Sequence, residues 1–179
     1  MHDDLLARAT FDIGGRVLLV RQLDVAAGAT EALECAGIMS MSEPWLSLGR
    51  DANASLAAIA APDRETYVAL DDARVADFIV VIMRGAFVGY IQSIAVREDW
   101  RSRGLGARLV AFAEERIFRE SPNVFICVSS FNPRARALYE RLGYRLVGEL
   151  TDYLVPGHSE LLLRKTLGPL SAYRAIHDA

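Results

Sequence analysis

The sequence predicts an α+β fold, a mixed sheet with helices packed against it. Three observations carry this. Strand-like apolar runs crowd the middle and the late part of the chain, and helical patterns alternate with them. Two buried strands are joined by a helix long enough for the crossover that parallel neighbours require.

Val17 to Gln22 follows the Gly14-Gly15 turn and reads as the first strand. The alanine-rich run from Val25 to Met39 reads as a helix. Ser42-Glu43-Pro44-Trp45 looks like a helix start, with serine as cap and proline early, and Leu56 to Ala60 closes that second helix before Pro62-Asp63. Glu65 to Leu70 is a strand ended at Asp71-Asp72; Val75 to Arg84 is a long apolar strand, and Gly85 turns it into another from Phe87 to Val96. The helix from Gly104 to Arg119 carries an apolar stripe of Leu105, Leu109, Phe112 and Ile117, with Arg108, Glu115 and Arg119 on the other face. Asn123 to Ser129 is apolar enough to be covered on both faces. Asn132 caps a helix from Pro133 to Leu142 that Gly143 stops. Tyr144 to Glu149 and Glu160 to Arg164 are the last strands, joined through Pro156-Gly157.

The 179 residues suit one domain, and with 52% apolar and 24% charged residues a core needs no staples. A net charge of -3 gives no global pull toward nucleic acid or an anionic membrane. Cys35 and Cys127 are too few for a disulfide framework and read as reduced thiols. Asp3 and Asp4 spoil a secretory start, and no run is long enough to span a bilayer, so the expected compartment is the cytoplasm. The histidines His2, His158 and His177 are scattered, so no metal is expected.

Chemistry concentrates in Ile94 to Ala107, where a buried strand ends, a polar loop turns, and Gly104 and Gly106 open a helix. Amide groups at a helix start lack intrahelical partners and, with the helix dipole, favour an anion such as pyrophosphate. The glycines keep Cβ atoms away from those amides, and Arg101 and Arg103 add positive charge. No Gly-Lys-Ser/Thr follows, which argues against a nucleotide P-loop, and Leu109 stands where a dinucleotide motif has its third glycine. A turn that needs glycine only for packing is the bland alternative.

Arg101-x-x-Gly104-x-Gly106 resembles the Q/R-x-x-G-x-G/A signature of GNAT acetyltransferases. Asn132-Pro133-Arg134-Ala135-Arg136-Ala137-Leu138-Tyr139, continuing to Gly143-Tyr144, is similar to a second stretch of that family. The resemblance implies one GNAT-type domain over residues 1–179, its cofactor segment at about 87–148. It implies a mostly antiparallel sheet splayed between the fourth and fifth strands, here Phe87 to Val96 and Asn123 to Ser129. Acetyl-CoA would lie there, its pantetheine on the backbone of Ile94, Ala95 and Val96. Its pyrophosphate would sit on Arg101, Ser102, Arg103, Gly104, Leu105, Gly106 and Ala107, with Asn132 in contact.

The implied reaction moves an acetyl group directly to an amine, of a small molecule or a peptide, with Tyr139 as the acid for the leaving thiolate. Tyr139 also reads as a core aromatic, and Asn132 as a plain N-cap. Family members resembling the ribosomal-protein alanine acetyltransferases have a glutamate where Cys127 stands, which argues against a peptide acceptor; Cys127 reads as a buried thiol. The sequence does not name the base; Glu149, Asp152 and His158 lie late in the chain, near where one could enter, with His158 also reading as a solvated loop residue. Trp45, Met39, Met41 and Tyr153 are candidates for the acceptor pocket. A non-catalytic acyl-CoA-binding module is the alternative to an enzyme, and a homodimer is left open.

Overall fold

The computed structural model describes residues 8–24 and 29–177. Along the chain stand β1 (Arg8–Ile13), β2 (Arg16–Gln22), α1 (Ala29–Ser40), α2 (Ala52–Ile59), β3 (Glu65–Asp71), β4 (Arg74–Ile82) and β5 (Tyr90–Val96). A short 3₁₀ turn (Glu98–Trp100) leads into α3 (Leu105–Ile117), β6 (Asn123–Ser129), α4 (Pro133–Arg141), β7 (Arg145–Leu150), β8 (Glu160–Thr166) and α5 (Leu170–His177). The strands form one eight-stranded sheet in the order β1-β2-β3-β4-β5-β6-β8-β7. Every neighbouring pair is antiparallel except β5 and β6, which α3 joins as a parallel crossover.

The central strands are apolar on both faces because each face has its own cover. Val68, Leu70, Phe78 and Val80 pack with Cys35, Met39 and Trp45 on the α1 side. Their alternates Tyr67, Ala69, Ile79 and Val81 pack with Leu105, Leu109, Phe112 and Ile117 of α3. The stripe read from the α3 sequence is thus its buried face.

Three sequence expectations need correction. β1 precedes the strand expected to be first, so the strands counted as fourth and fifth are β5 and β6. They pair only at Tyr90↔Phe125 and Ile91↔Ile126, and beyond these residues the two strands share no registered pairs. Phe87 lies outside β5, half exposed, with its ring 4.9 Å from that of Phe125.

Ser42 does not start a helix. Its hydroxyl donates back to Ile38 O at 2.6 Å, and the chain runs through turns until Asp51 caps α2 by accepting from the Ala54 amide. The first residues of the expected helix, Val25 to Gly28, lie outside the described residues. No helix among the described residues is long and apolar enough to cross a membrane.

Candidate active site

The edge of β5 that faces β6 is where the site begins. The Arg97 amide donates to Ala76 O of β4 at 2.9 Å. Backbone groups alternate sides along a strand, so the N–H and C=O of Val96 and Ile94 point away from β4, toward β6. Arg101 reaches Val96 O from that side, its Nε donating at 3.1 Å.

At the start of α3, Gly104 has φ 82 and ψ 0, a left-handed conformation that costs other residues about 1–2 kcal/mol. Arg108 makes the first helical bond, to Gly104 O at 3.2 Å. The N–H groups of Ser102 through Ala107 donate to no acceptor among the described residues. Gly106 is needed for a different reason from the one its motif suggests. A Cβ there would point inward, 3.2 Å from Val96 Cγ2 and 3.9 Å from Asp77 Oδ2, so its absence lets α3 sit close on β5 and β4.

Arg101 also donates to Ser42 Oγ at 2.9 Å, and Arg134 of α4 donates to Ser102 Oγ at 2.8 Å. Both guanidiniums therefore fasten the loop as well as charging it. Arg103 turns outward, its guanidinium 5.3 Å over the Trp100 ring.

Between β5, α4 and the 41–51 connection lies a trench with two lobes. The larger, about 680 Å³, is lined by Ile94, Ala95, Val96, Arg101, Ser102, Gly104, Leu105, Gly106, Ala107, Asn132 and Tyr139 of the sequence-predicted set. Arg103 is the one member of that set outside it. The smaller lobe, about 450 Å³, reaches Tyr90, Cys127, Ser129, Tyr153 and Glu160. Ile94, Asn132, Ala135, Tyr139, Glu43 and Trp45 border both, so the lobes meet at Tyr139. The larger lobe holds the cations Arg101, Arg134 and Arg141, the smaller holds Glu160 and Arg50, and the carboxylate of Glu43 borders both.

Asn132 caps α4, its side chain accepting from the Ala135 amide at 3.1 Å, while the residue itself lines both lobes. Tyr139 is 5% exposed, edge-on to Tyr144, with no hydrogen-bond partner for its hydroxyl among the described residues. Burial first, then the charge of Asp77, pushes its phenol above the ordinary value, so it stays protonated. Asp77 is fully buried behind Gly106, neither carboxyl oxygen has a partner among the described residues, and burial raises its pKa well above the carboxylate range.

In the smaller lobe Tyr90 and Cys127 both line the wall, and Ser129 Oγ donates to Glu160. Cys127 is half-buried and borders the lobe, a correction to its reading as a buried thiol; burial is the main cause raising its pKa. Glu160 is raised too, by burial, against the opposing effect of Ser129.

Of the acceptor-side candidates, Trp45 lines both lobes, Met41 the larger and Tyr153 the smaller, while Met39 is wholly in the core. Glu149, Asp152 and His158 are exposed and border neither lobe; His158 packs against Phe131. Sequence reading missed Glu160 and Asp77. Asp77 had a signal, a lone carboxylate amid Val75-Ala76 and Phe78-Ile79.

A model of the acetyltransferase (GNAT) family matches residues 31–144, well over half of the chain. A blasticidin-S acetyltransferase from Streptomyces morookaense is 36% identical over 92 residues, which is 48% of this chain and 67% of that protein. Among solved structures, an aminoglycoside 6'-N-acetyltransferase complexed with coenzyme A matches with a TM-score of 0.66 at 17% identity, covering 84% of this chain and 97% of the other. The ribosomal-protein-S18-alanine N-acetyltransferase from Escherichia coli matches with a TM-score of 0.65 at 16% identity, over 84% of this chain and 94% of that one. At such identities these two likenesses concern the fold. The family match rests on the segment that builds the trench, and by it the chain belongs to the acetyltransferase (GNAT) family of enzymes.

Proposed function

We propose that the protein is an N-acetyltransferase that moves an acetyl group from acetyl-CoA directly to the amine of a small molecule. The carrying observation is the polarity of the trench. Free amides and the guanidiniums of Arg101, Arg134 and Arg141 gather in the larger lobe, Glu160 lies in the smaller, and Tyr139 stands between them. Acetyl-CoA supplies an acyl group activated as a thioester and is strongly anionic at its phosphates, which suits the lobe lined by Ser102 and by Gly104 through Ala107. The outward main-chain groups of Ile94 and Val96 suit an extended pantetheine as an added strand.

An N–H of β5 is the donor for charge growing on the carbonyl oxygen, a contribution typically about 2.7–4 kcal/mol. Tyr139, protonated and without a competing partner, is the proton donor to the departing sulfur. Asn132 orders the start of α4 and thereby the position of Tyr139.

A small-molecule acceptor is favoured over a peptide by the compact second lobe and by Cys127 in place of the glutamate of the alanine acetyltransferases. The likeness to an enzyme named for blasticidin-S supports the same choice. The test is calorimetry with acetyl-CoA, followed by free-thiol release with a panel of amines, antibiotics and peptides. Absence of acetyl-CoA binding overturns the reading, and release only with peptides overturns the acceptor class.

A further inference from the structure

We propose that Glu160 seats the ammonium of the acceptor in the smaller lobe and takes its proton, so that the acceptor is a compact cationic amine. This rests on the acetyl-transfer reading and adds the acceptor's chemistry to it. Glu160 opens β8, held between Ser129 of β6 and Leu150 of β7, and is 5% exposed although it borders the lobe. Ser129 Oγ engages Oε1, and Oε2 has no partner among the described residues. A carboxylate so enclosed is costly without a counter-charge.

The groups around it do not supply one. Tyr90 of β5, Cys127 of β6, Tyr139 of α4 and Tyr153 of the β7–β8 connection bring hydroxyls and a thiol, and Glu43 brings a second carboxylate. Arg50 also borders the lobe, but among the described residues it makes no ion pair with either carboxylate. A bound cation is therefore the missing partner, and the rings of Trp45, Tyr90 and Tyr153 suit an organic one. Burial raises the Glu160 pKa, which brings a carboxylate nearer to what a base at neutral pH needs.

The protons balance as follows. One passes from the ammonium to Glu160 Oε2 and on to solvent. The freed lone pair forms the C–N bond, the thioester C–S bond breaks, and sulfur takes the Tyr139 proton. The proton then shed by the new amide nitrogen restores Tyr139.

The test uses cadaverine as the amine and the intact protein. Calorimetry should show cadaverine binding Glu160→Gln at least about tenfold more weakly than wild type; equal affinities overturn the proposal. With acetyl-CoA present, kcat/KM of Glu160→Gln should fall about 10²–10⁴-fold and the acid limb of its pH profile should vanish, with partial rescue by Glu160→Asp. An unchanged profile overturns the assignment.

Ser129→Ala removes a donor to the carboxylate, so the acid limb should move to higher pH. This arm decides the matter if Glu160→Gln does not fold, and an unmoved limb counts against Glu160. Acetyl-CoA affinity is titrated separately. Wild-type protein that does not bind it overturns the acetyl-transfer reading, while the cadaverine titration still decides the role of Glu160.

Discussion

Asp77 lies directly behind the first turn of α3, its Oδ2 3.9 Å from where a Cβ of Gly106 would stand. The carboxyl is fully buried and its pKa is raised by desolvation. A raised carboxyl pKa means a contribution to stability fully present below the unfolded-state value and lost as pH rises through the folded-state value. Asp77→Asn, neutral at every pH, should therefore melt above wild type at pH 8 and converge with it near pH 4. A gain of about 2–4 °C would correspond to about 1 kcal/mol for a chain of this size. Parallel melting curves across that range would show that Asp77 has a partner offsetting its burial.

Gly106→Val should act on the cofactor through the sheet. Its Cβ starts 3.2 Å from Val96 Cγ2, so the first turn of α3 must lift from β5 and carry its free amides with it. Acetyl-CoA should bind at least about tenfold more weakly, about 1.4 kcal/mol, in a protein that remains folded. Unchanged affinity by calorimetry would place the phosphates elsewhere.

Tyr139→Phe separates chemistry from packing cleanly, because its hydroxyl bonds nothing among the described residues. The ring keeps its contact with Tyr144, so thermal stability should stay within about 0.5 kcal/mol and acetyl-CoA affinity should hold. Turnover should drop by about 10²–10⁴. A variant acetylating at the wild-type rate would remove this phenol from the reaction.

Gly89→Ala should be the most damaging glycine replacement outside the trench. Gly89 has φ +86, and a Cβ would lie 2.5 Å from Asn123 O, a backbone atom that cannot yield cheaply, and would also press on Ile117 Cγ2. Left-handed strain of about 1–2 kcal/mol and overpacking of about 1–3 kcal/mol point to a loss of several kcal/mol. Urea denaturation would show it, and a midpoint unmoved by the change would mean that the crossing of β5 and β6 is softer than its geometry.

What could be read in advance was what is written locally. Asn132, Pro133 and Gly143 mark the ends of α4 by capping chemistry that needs no distant partner, and the α3 stripe declares its buried face by period alone. β1 escaped because only Phe11 and Ile13 are buried, while Arg8, Thr10 and Asp12 face solvent. Ser42 misled because its hydroxyl serves Ile38 and Arg101, one of them 59 residues away. Glu160 was illegible for the same reason: its environment is made by Ser129, 31 residues distant, and by strands that meet only in the sheet. Gly106 was found by its motif, yet the direction of its missing Cβ could be known only from the packing.

The two register pairs that join β5 and β6 are fewer than any other neighbouring strands share, and among the described residues the chain passes from β5 to β6 through α3. The strands before α3 are β1 to β5, and those after it are β6 to β8. A protein laid out in this way is suited to fragment complementation. Cut at the exposed Arg119-Glu120 turn, it would give two pieces that each keep their own strand ladder. Their reunion would depend on the packing of α3 and on whatever molecule bridges the trench, so ligand occupancy could be read out as reassembly.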